Sequence, residues 1–207
     1  MDPVTTHRSN VYSRNGVAAA SQPLAVSAGI EILRKGGSAI DAAIAMSAVL
    51  AVVEPGASHL GGDAFVITHK ASDRSNLAFN GSGEAPHAAN ASSFPSGIDL
   101  HGYKSATVPG LVSTWFATHE EFGLLDFSEL LAPAIEYAAH GFPANTGFVR
   151  RIAKHLKDFP ETQVFKTMGI STDVKVGDLV VQPDLADSLS DLPFIECFTS
   201  IFGNCAE

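Results

Sequence analysis

The segment that most constrains the fold lies at residues 38–53, with the sequence SAIDAAIAMSAVLAVV. Ser38 and Asp41 stand three residues apart, as in a capping box that opens a helix, and EPG at 54–56 ends it. The intervening helix is apolar on nearly every side, whereas a surface helix carries a polar face. We therefore predict a helix buried on most sides, which requires other layers around it.

The flanking segments predict a layered fold of the α/β (α+β) class. A helix precedes in SQPLAVSAGIEILRKGG, where Ser21 can cap the start and Gly36 or Gly37 ends it. Two strands follow, DAFVITHK and NLAFN, joined by the polar turn ASDRS. Phe65 and Val66 point to opposite faces, and apolar residues on both faces are typical of a strand covered on both sides. We expect a helix layer on each side of a sheet.

The second half of the chain is predicted to be mainly helical. One helix is expected over residues 111–122, and Asp126 with Glu129 forms a box that opens the next. Asn145 is expected to cap a third helix, and Pro183 fits the first turn of a fourth.

Charge and composition argue against several partners. The 207 residues are 45% hydrophobic and 17% charged, as in a globular chain that forms one core or part of a larger one. The net charge of −9, without a cluster of Lys and Arg, argues against nucleic acid. No apolar run reaches the roughly 20 residues that cross a bilayer, and the first residues lack a signal-peptide core. We predict no membrane partner and a cytoplasmic location.

The sequence shows no recognisable metal or cofactor motif. Its eight histidines are scattered, without a His-Glu-x-x-His or paired Cys-x-x-Cys spacing. The glycines at 61–62, 81 and 83 match neither common phosphate-loop pattern. Cys197 and Cys205 could form a disulfide, but free thiols are the better default for so few cysteines. We predict no metal and no cofactor.

The stretch FNGSGEAPHAA at 79–89 raises the question of a nucleophilic serine. A serine elbow has the pattern Gly-x-Ser-x-Gly between a strand and a helix, whereas here Pro86 follows closely and no His/Asp pair can be assigned. A glycine-rich turn at the end of a strand is therefore favoured over a nucleophilic Ser82.

Five stretches, in order along the chain, resemble the gamma-glutamyltransferase (glutathione hydrolase) family. They are GVAAASQPLAVSAGIEILRKGGSAIDAAIA, VVEPGASHLGGDAFVI, NGSGEAP, TVPGLVSTWFATHEEFG and ELLAPAIEYAAHGFP, and VGDLVVQPDLADSL continues the likeness. The first two are the most specific, and the resemblance extends from about residue 15 to residue 189.

This resemblance implies an N-terminal-nucleophile hydrolase with an αββα sandwich. In that family a precursor cleaves itself into two subunits, and the new N-terminal Thr of the small subunit attacks the gamma-glutamyl amide. Residues 1–189 correspond to the N-terminal part of the large subunit, whereas the tail at 190–207 does not resemble the family. We expect an incomplete sandwich, no catalytic residue in this chain, and a missing C-terminal (small-subunit) portion.

The resemblance also assigns a role to the glycine-rich turn. In the transferases an Arg at the position of Ser82 pairs with the substrate's alpha-carboxylate, and an acylase-like branch has an Arg where Glu84 stands here. With neither cation present, a carboxylate at this site would repel a gamma-glutamyl donor. We predict a substrate-binding wall made of Asn80, Gly81, Ser82 and Glu84.

Two functions remain in view. One is a fragment of a gamma-glutamyltransferase-like amide hydrolase or acyltransferase that acts on glutathione or related amides and peptides. The other is an inactive product that acts, if at all, by association with an intact homologue. Association of the chain with copies of itself, as a homo-oligomer, is a further possibility. The motif TTHRS at 5–9 resembles the start of the family's small subunit, but it precedes the large-subunit motifs, so a catalytic Thr5 is disfavoured.

Overall fold

The computed structural model describes residues 10–98 and 101–194. Most of the elements are helices, and the strands form two small antiparallel pairs. In chain order the elements are α1 (Pro23–Arg34), α2 (Ala39–Val53), β1 (Ala64–Lys70), β2 (Ser75–Gly81), α3 (Leu111–Phe122), α4 (Phe127–His140), β3 (Phe142–Pro143), α5 (Thr146–Asp158), α6 (Val164–Thr167), β4 (Leu179–Val180) and α7 (Pro183–Asp191). Short 3-10 turns lie at Ala91–Ser93, Tyr103–Ser105 and Leu192–Phe194.

Helix α2 is the centre of the core, and its predicted burial is confirmed. It packs against α1, α3 and α4, while α4 packs in turn against α7. The approach of α1 to α2 is close, because a Cβ on Gly29 would lie 2.5 Å from the sulfur of Met46. Ten of the fifteen α2 residues are buried: Ile40, Asp41, Ala42, Ile44, Ala45, Ala48, Val49, Ala51, Val52 and Val53.

The capping box that opens α2 is present as predicted. The Asp41 N–H donates to Ser38 Oγ at 3.0 Å, and the Ser38 N–H donates to Asp41 Oδ2 at 2.8 Å. The same Asp41 oxygen accepts the N–H of Leu124 at 3.0 Å, from the loop between α3 and α4. One buried carboxylate therefore caps α2 and also holds a distant loop against it.

Two predicted caps were wrong in detail. Helix α1 is capped by Gln22, whose side chain accepts the Leu24 N–H, whereas the Ser21 hydroxyl donates to Glu54 at 2.9 Å. Asp126 is the N-cap residue of α4, but its side chain makes no capping hydrogen bond.

Three other boundaries were predicted correctly. Asn145 accepts the Phe148 N–H at 2.8 Å and caps α5, while α7 begins at Pro183. The helix predicted over residues 111–122 is α3.

The β1–β2 hairpin has one covered and one open face, so the prediction of a strand covered on both sides was wrong for the described residues. Ala64 and Val66 pack against the core beside α3, while Phe65 and Ile67 on the other face are 72% and 83% exposed. In the register of the hairpin Phe65 lies opposite Asn80. Apolar residues on both faces of a strand indicate that both faces are suited to burial. They do not show whether a second layer covers the outer face.

In the residues that the structure describes, no helix is both long and apolar enough to span a bilayer.

Candidate functional site

Three chain segments meet at the open end of the hairpin, and we call this junction the glycine crossing: residues 61–63, 80–84 and 107–111. The N–H groups of Gly110 and Leu111 both donate to the Gly62 carbonyl, at 3.0 and 2.8 Å. The Val108 N–H donates to the Glu84 carbonyl at 3.0 Å. The segment that leads into α3 is therefore hydrogen-bonded through its backbone to the residues just before β1 and just after β2.

The crossing requires glycine because its backbones touch. A Cβ on Gly83 would lie 1.4 Å from the Val108 carbonyl oxygen, and one on Gly110 would lie 2.1 Å from that of Gly81. A Cβ on Gly81 would lie 1.7 Å from Thr114 Oγ1. Close backbone approach explains Gly83 and Gly110, as is typical where a strand meets another chain segment, whereas Gly81 leaves room for the Thr114 side chain.

Asp63 holds the crossing together with its side chain. Its Oδ1 accepts the Gly83 N–H at 3.0 Å and the Thr107 hydroxyl at 3.2 Å. This role of Asp63 was not predicted, since its partners lie 20 and 44 residues away and no local sequence pattern joins them. The one available signal was an Asp directly after Gly61-Gly62 at the start of a strand.

All four predicted substrate-binding residues lie in this one turn. Asn80 Oδ1 accepts the Ser82 N–H at 3.0 Å, and Gly81 packs beneath the Thr114 side chain. Ser82 and Glu84 are exposed, and within residues 10–98 and 101–194 the Glu84 carboxylate makes no hydrogen bond or ion pair. The Ser82 hydroxyl has no histidine partner in the same ranges, which favours the turn interpretation over a nucleophile. Thr5, Cys197 and Cys205 lie outside the described residues.

A cavity of about 390 Å³ adjoins the crossing, between α2, α3 and β1. Its wall includes His59, Gly62, Asp63, Ser47 and Trp115, whose indole N–H donates to the Ser47 hydroxyl at 3.2 Å. Ser82 and Glu84 do not line it. Among the described side chains, no three His, Cys, Asp or Glu groups converge to hold a metal ion.

Comparison with known proteins gives this arrangement its context. Residues 25–193 match the sequence profile described as gamma-glutamyltranspeptidase. The chain belongs to the gamma-glutamyltranspeptidase family. It is 39% identical over 174 residues to the glutathione hydrolase-like YwrD proenzyme of Bacillus subtilis (strain 168). The aligned region covers 81% of this chain and 33% of that protein. The predicted family is thereby confirmed.

Two solved structures of this gamma-glutamyltranspeptidase-like fold superpose closely. The cephalosporin acylase from Bacillus halodurans has a TM-score of 0.84 at 32% identity, and the match covers 93% of this chain and 38% of that one. Helicobacter pylori gamma-glutamyltranspeptidase has a TM-score of 0.83 at 31% identity, over 90% of this chain and 56% of that one. Both have the N-terminal-nucleophile hydrolase fold, which confirms the predicted fold class. The chain spans about a third of the length of the curated relatives it matches.

Proposed function

We propose that this chain forms the N-terminal part of the large subunit of a gamma-glutamyltransferase-like amide hydrolase or acyltransferase. In this proposal the chain supplies a wall of the acyl-donor pocket, and the nucleophilic Thr belongs to the C-terminal portion of the enzyme. The observation that carries the proposal is the turn from Asn80 to Glu84. It is held by Asp63 and Val108, yet the side chains of Ser82 and Glu84 are exposed and make no hydrogen bond with the described residues.

The unpaired Glu84 carboxylate bears on the choice of acyl donor. A gamma-glutamyl donor carries an alpha-carboxylate, which a cation would bind and a carboxylate repels. We therefore propose weak use of glutathione and preferential use of amides whose acyl group carries no carboxylate in the position of the gamma-glutamyl alpha-carboxylate.

The test uses a longer form of the enzyme that carries the small subunit. Glu84→Arg is expected to raise kcat/KM for a gamma-glutamyl anilide, relative to an uncharged acyl anilide, by at least about fivefold, as one exposed ion pair supplies about 1 kcal/mol. Glu120→Arg makes the same charge change on the exposed surface of α3 and is the matched control. An unchanged ratio for Glu84→Arg, or equal changes for both variants, would argue against a substrate-facing role.

A second candidate function rests on the open hairpin face. Phe65 and Ile67 are exposed side by side along β1, as in a strand that lacks its covering layer. We propose that the 207-residue chain by itself does not hydrolyse a gamma-glutamyl anilide and acts only by association with an intact homologue. Turnover by the purified chain would refute the first statement, and a failure to co-elute with a co-expressed homologue would refute the second. The cytoplasmic location stays a prediction, to be tested by cell fractionation.

A further inference from the structure

Two adjoining cavities lie beside α5, away from the turn at 80–84, and together we call them the α5 pocket. The inner one has a volume of about 270 Å³ and the outer one about 640 Å³. Apolar side chains form most of the inner wall: Pro55, Phe148, Ile152, Phe165 and Met168. The shared boundary includes His101, His155, Asp158 and Phe159. An apolar cavity with a few polar groups is the usual form of a small-molecule site.

Aromatic rings line the boundary of the α5 pocket. The ring of Phe159 is met nearly edge-on by His101, with centroids 4.9 Å apart, and at a tilt by His155 at 5.0 Å. His155 also meets the Phe165 ring nearly edge-on at 5.1 Å. Phe159 remains 36% exposed, so part of its surface is free to stack with another ring.

The inner cavity also carries one unbalanced positive charge. Lys154 and Asp158 pair at 2.6 Å, and this hydrogen bond, aided by the charges of His155 and His101, holds the pKa of Asp158 below its usual value. Asp158 therefore stays ionised and cancels the charge of Lys154. Arg151 also lines the inner cavity, with its stem beside Gly56, and its guanidinium makes no hydrogen bond or ion pair with the described residues.

We propose that the α5 pocket binds a small aromatic carboxylate, whose ring lies against Phe159 and whose carboxylate pairs with Arg151. The planar guanidinium matches a carboxylate in two parallel hydrogen bonds, and this pairing gives the pocket its preference for an anion. Arg151 is exposed, so its guanidinium is accessible to an incoming anion, while the outer cavity also carries the carboxylate of Glu161. None of the residues Asn80, Gly81, Ser82 and Glu84 lines the pocket, so this inference does not depend on the proposed function.

The first test needs no variant. The 207-residue chain is titrated with phenylacetate, phenylacetamide and acetate at millimolar concentrations, and backbone amide NMR shifts are followed. Phenylacetate is expected to shift the amides of His155, Phe159 and Phe165 saturably. The neutral amide should bind at least about fivefold more weakly, because it lacks the ion pair with Arg151, and acetate should not saturate because it lacks the ring. Equal affinity of phenylacetate and phenylacetamide, or no saturable shift at these residues, would overturn the proposal.

The second test distinguishes a specific pairing of the carboxylate with Arg151 from a general attraction of the anion to the basic helix α5. Arg151→Gln is expected to weaken phenylacetate binding by at least about fivefold, whereas Arg150→Gln, one residue earlier and outside both cavities, should change it by less than about twofold. Far-UV circular dichroism checks that both variants fold alike. Equal losses in the two variants would contradict a specific role for Arg151.

Discussion

The buried carboxylate of Asp41 offers the sharpest test of how this fold is held together. Its side chain is fully buried, and one oxygen accepts the N–H groups of Ser38 and Leu124 at 2.8 and 3.0 Å. The other oxygen has no hydrogen-bond partner among residues 10–98 and 101–194, and His119 Nε2 is 3.9 Å from it. Replacing this residue should uncouple the start of α2 from the loop between α3 and α4.

The expected cost follows from these contacts. A hydrogen bond to a charged group contributes about 1.5–3 kcal/mol, and a neutral one about 0.5–1.5 kcal/mol. Asp41→Asn keeps the shape but makes two charge-assisted bonds neutral, so we expect a loss of about 2 kcal/mol. Asp41→Ala removes the acceptor of both N–H groups, which are only partly buried, so the cost lies in the lower part of the range of about 1–3 kcal/mol each and we expect a loss of about 3 kcal/mol.

Urea denaturation of the 207-residue chain measures both losses. Trp115 is the single tryptophan and is 3% exposed beside α2, so its fluorescence reports the unfolding of this region. The exposed Asp187 supplies the control, and Asp187→Asn should change the free energy of unfolding by less than about 0.5 kcal/mol. If Asp41→Asn were as stable as the unmodified chain or more so, the cost of burying the charge would outweigh its hydrogen bonds, and the reasoning would be refuted.

Three further outcomes are expected. Gly83→Ala should destabilise the chain by more than about 2 kcal/mol in the same urea assay, because its Cβ would meet the Val108 carbonyl at 1.4 Å; a smaller loss would contradict a tight crossing. Ile67→Thr should change stability by less than about 0.5 kcal/mol, because Ile67 is 83% exposed, and a large loss would show that its face is covered. Burial, with the charge of Glu136, raises the pKa of Tyr137, so its contribution to stability is present below about pH 10 and is lost as the pH rises through the folded-state value. An ultraviolet titration against Tyr137→Phe checks this shift, and a normal phenol pKa would disprove it.

The local helix signals were readable from the sequence because each depends on residues three or four positions apart. The box of Ser38 and Asp41 and the cap at Asn145 are of this kind, and the structure contains both. The prediction at Ser21 failed because the neighbouring Gln22 also carries a side-chain acceptor within reach of the first turn. A short sequence window does not decide between two adjacent candidates.

Only part of the candidate site could be predicted from the sequence. The turn from Asn80 to Glu84 was found from its glycines and from family resemblance, whereas Asp63, which holds Gly83 and Thr107, was not. These contacts join segments far apart in the chain, so no spacing in the sequence marks them.

The sequence by itself determined where α2, α3, α5 and α7 begin, that α2 is buried, and which family the chain belongs to, since short-range capping and apolar content encode these features. The tertiary structure alone decided that Asp41 also holds the loop at Leu124, that backbones touch at the glycine crossing, and that one face of β1 lies open. The physical reason is that burial and close backbone approach depend on which distant segments come together in the fold. A short stretch of sequence does not specify those tertiary contacts.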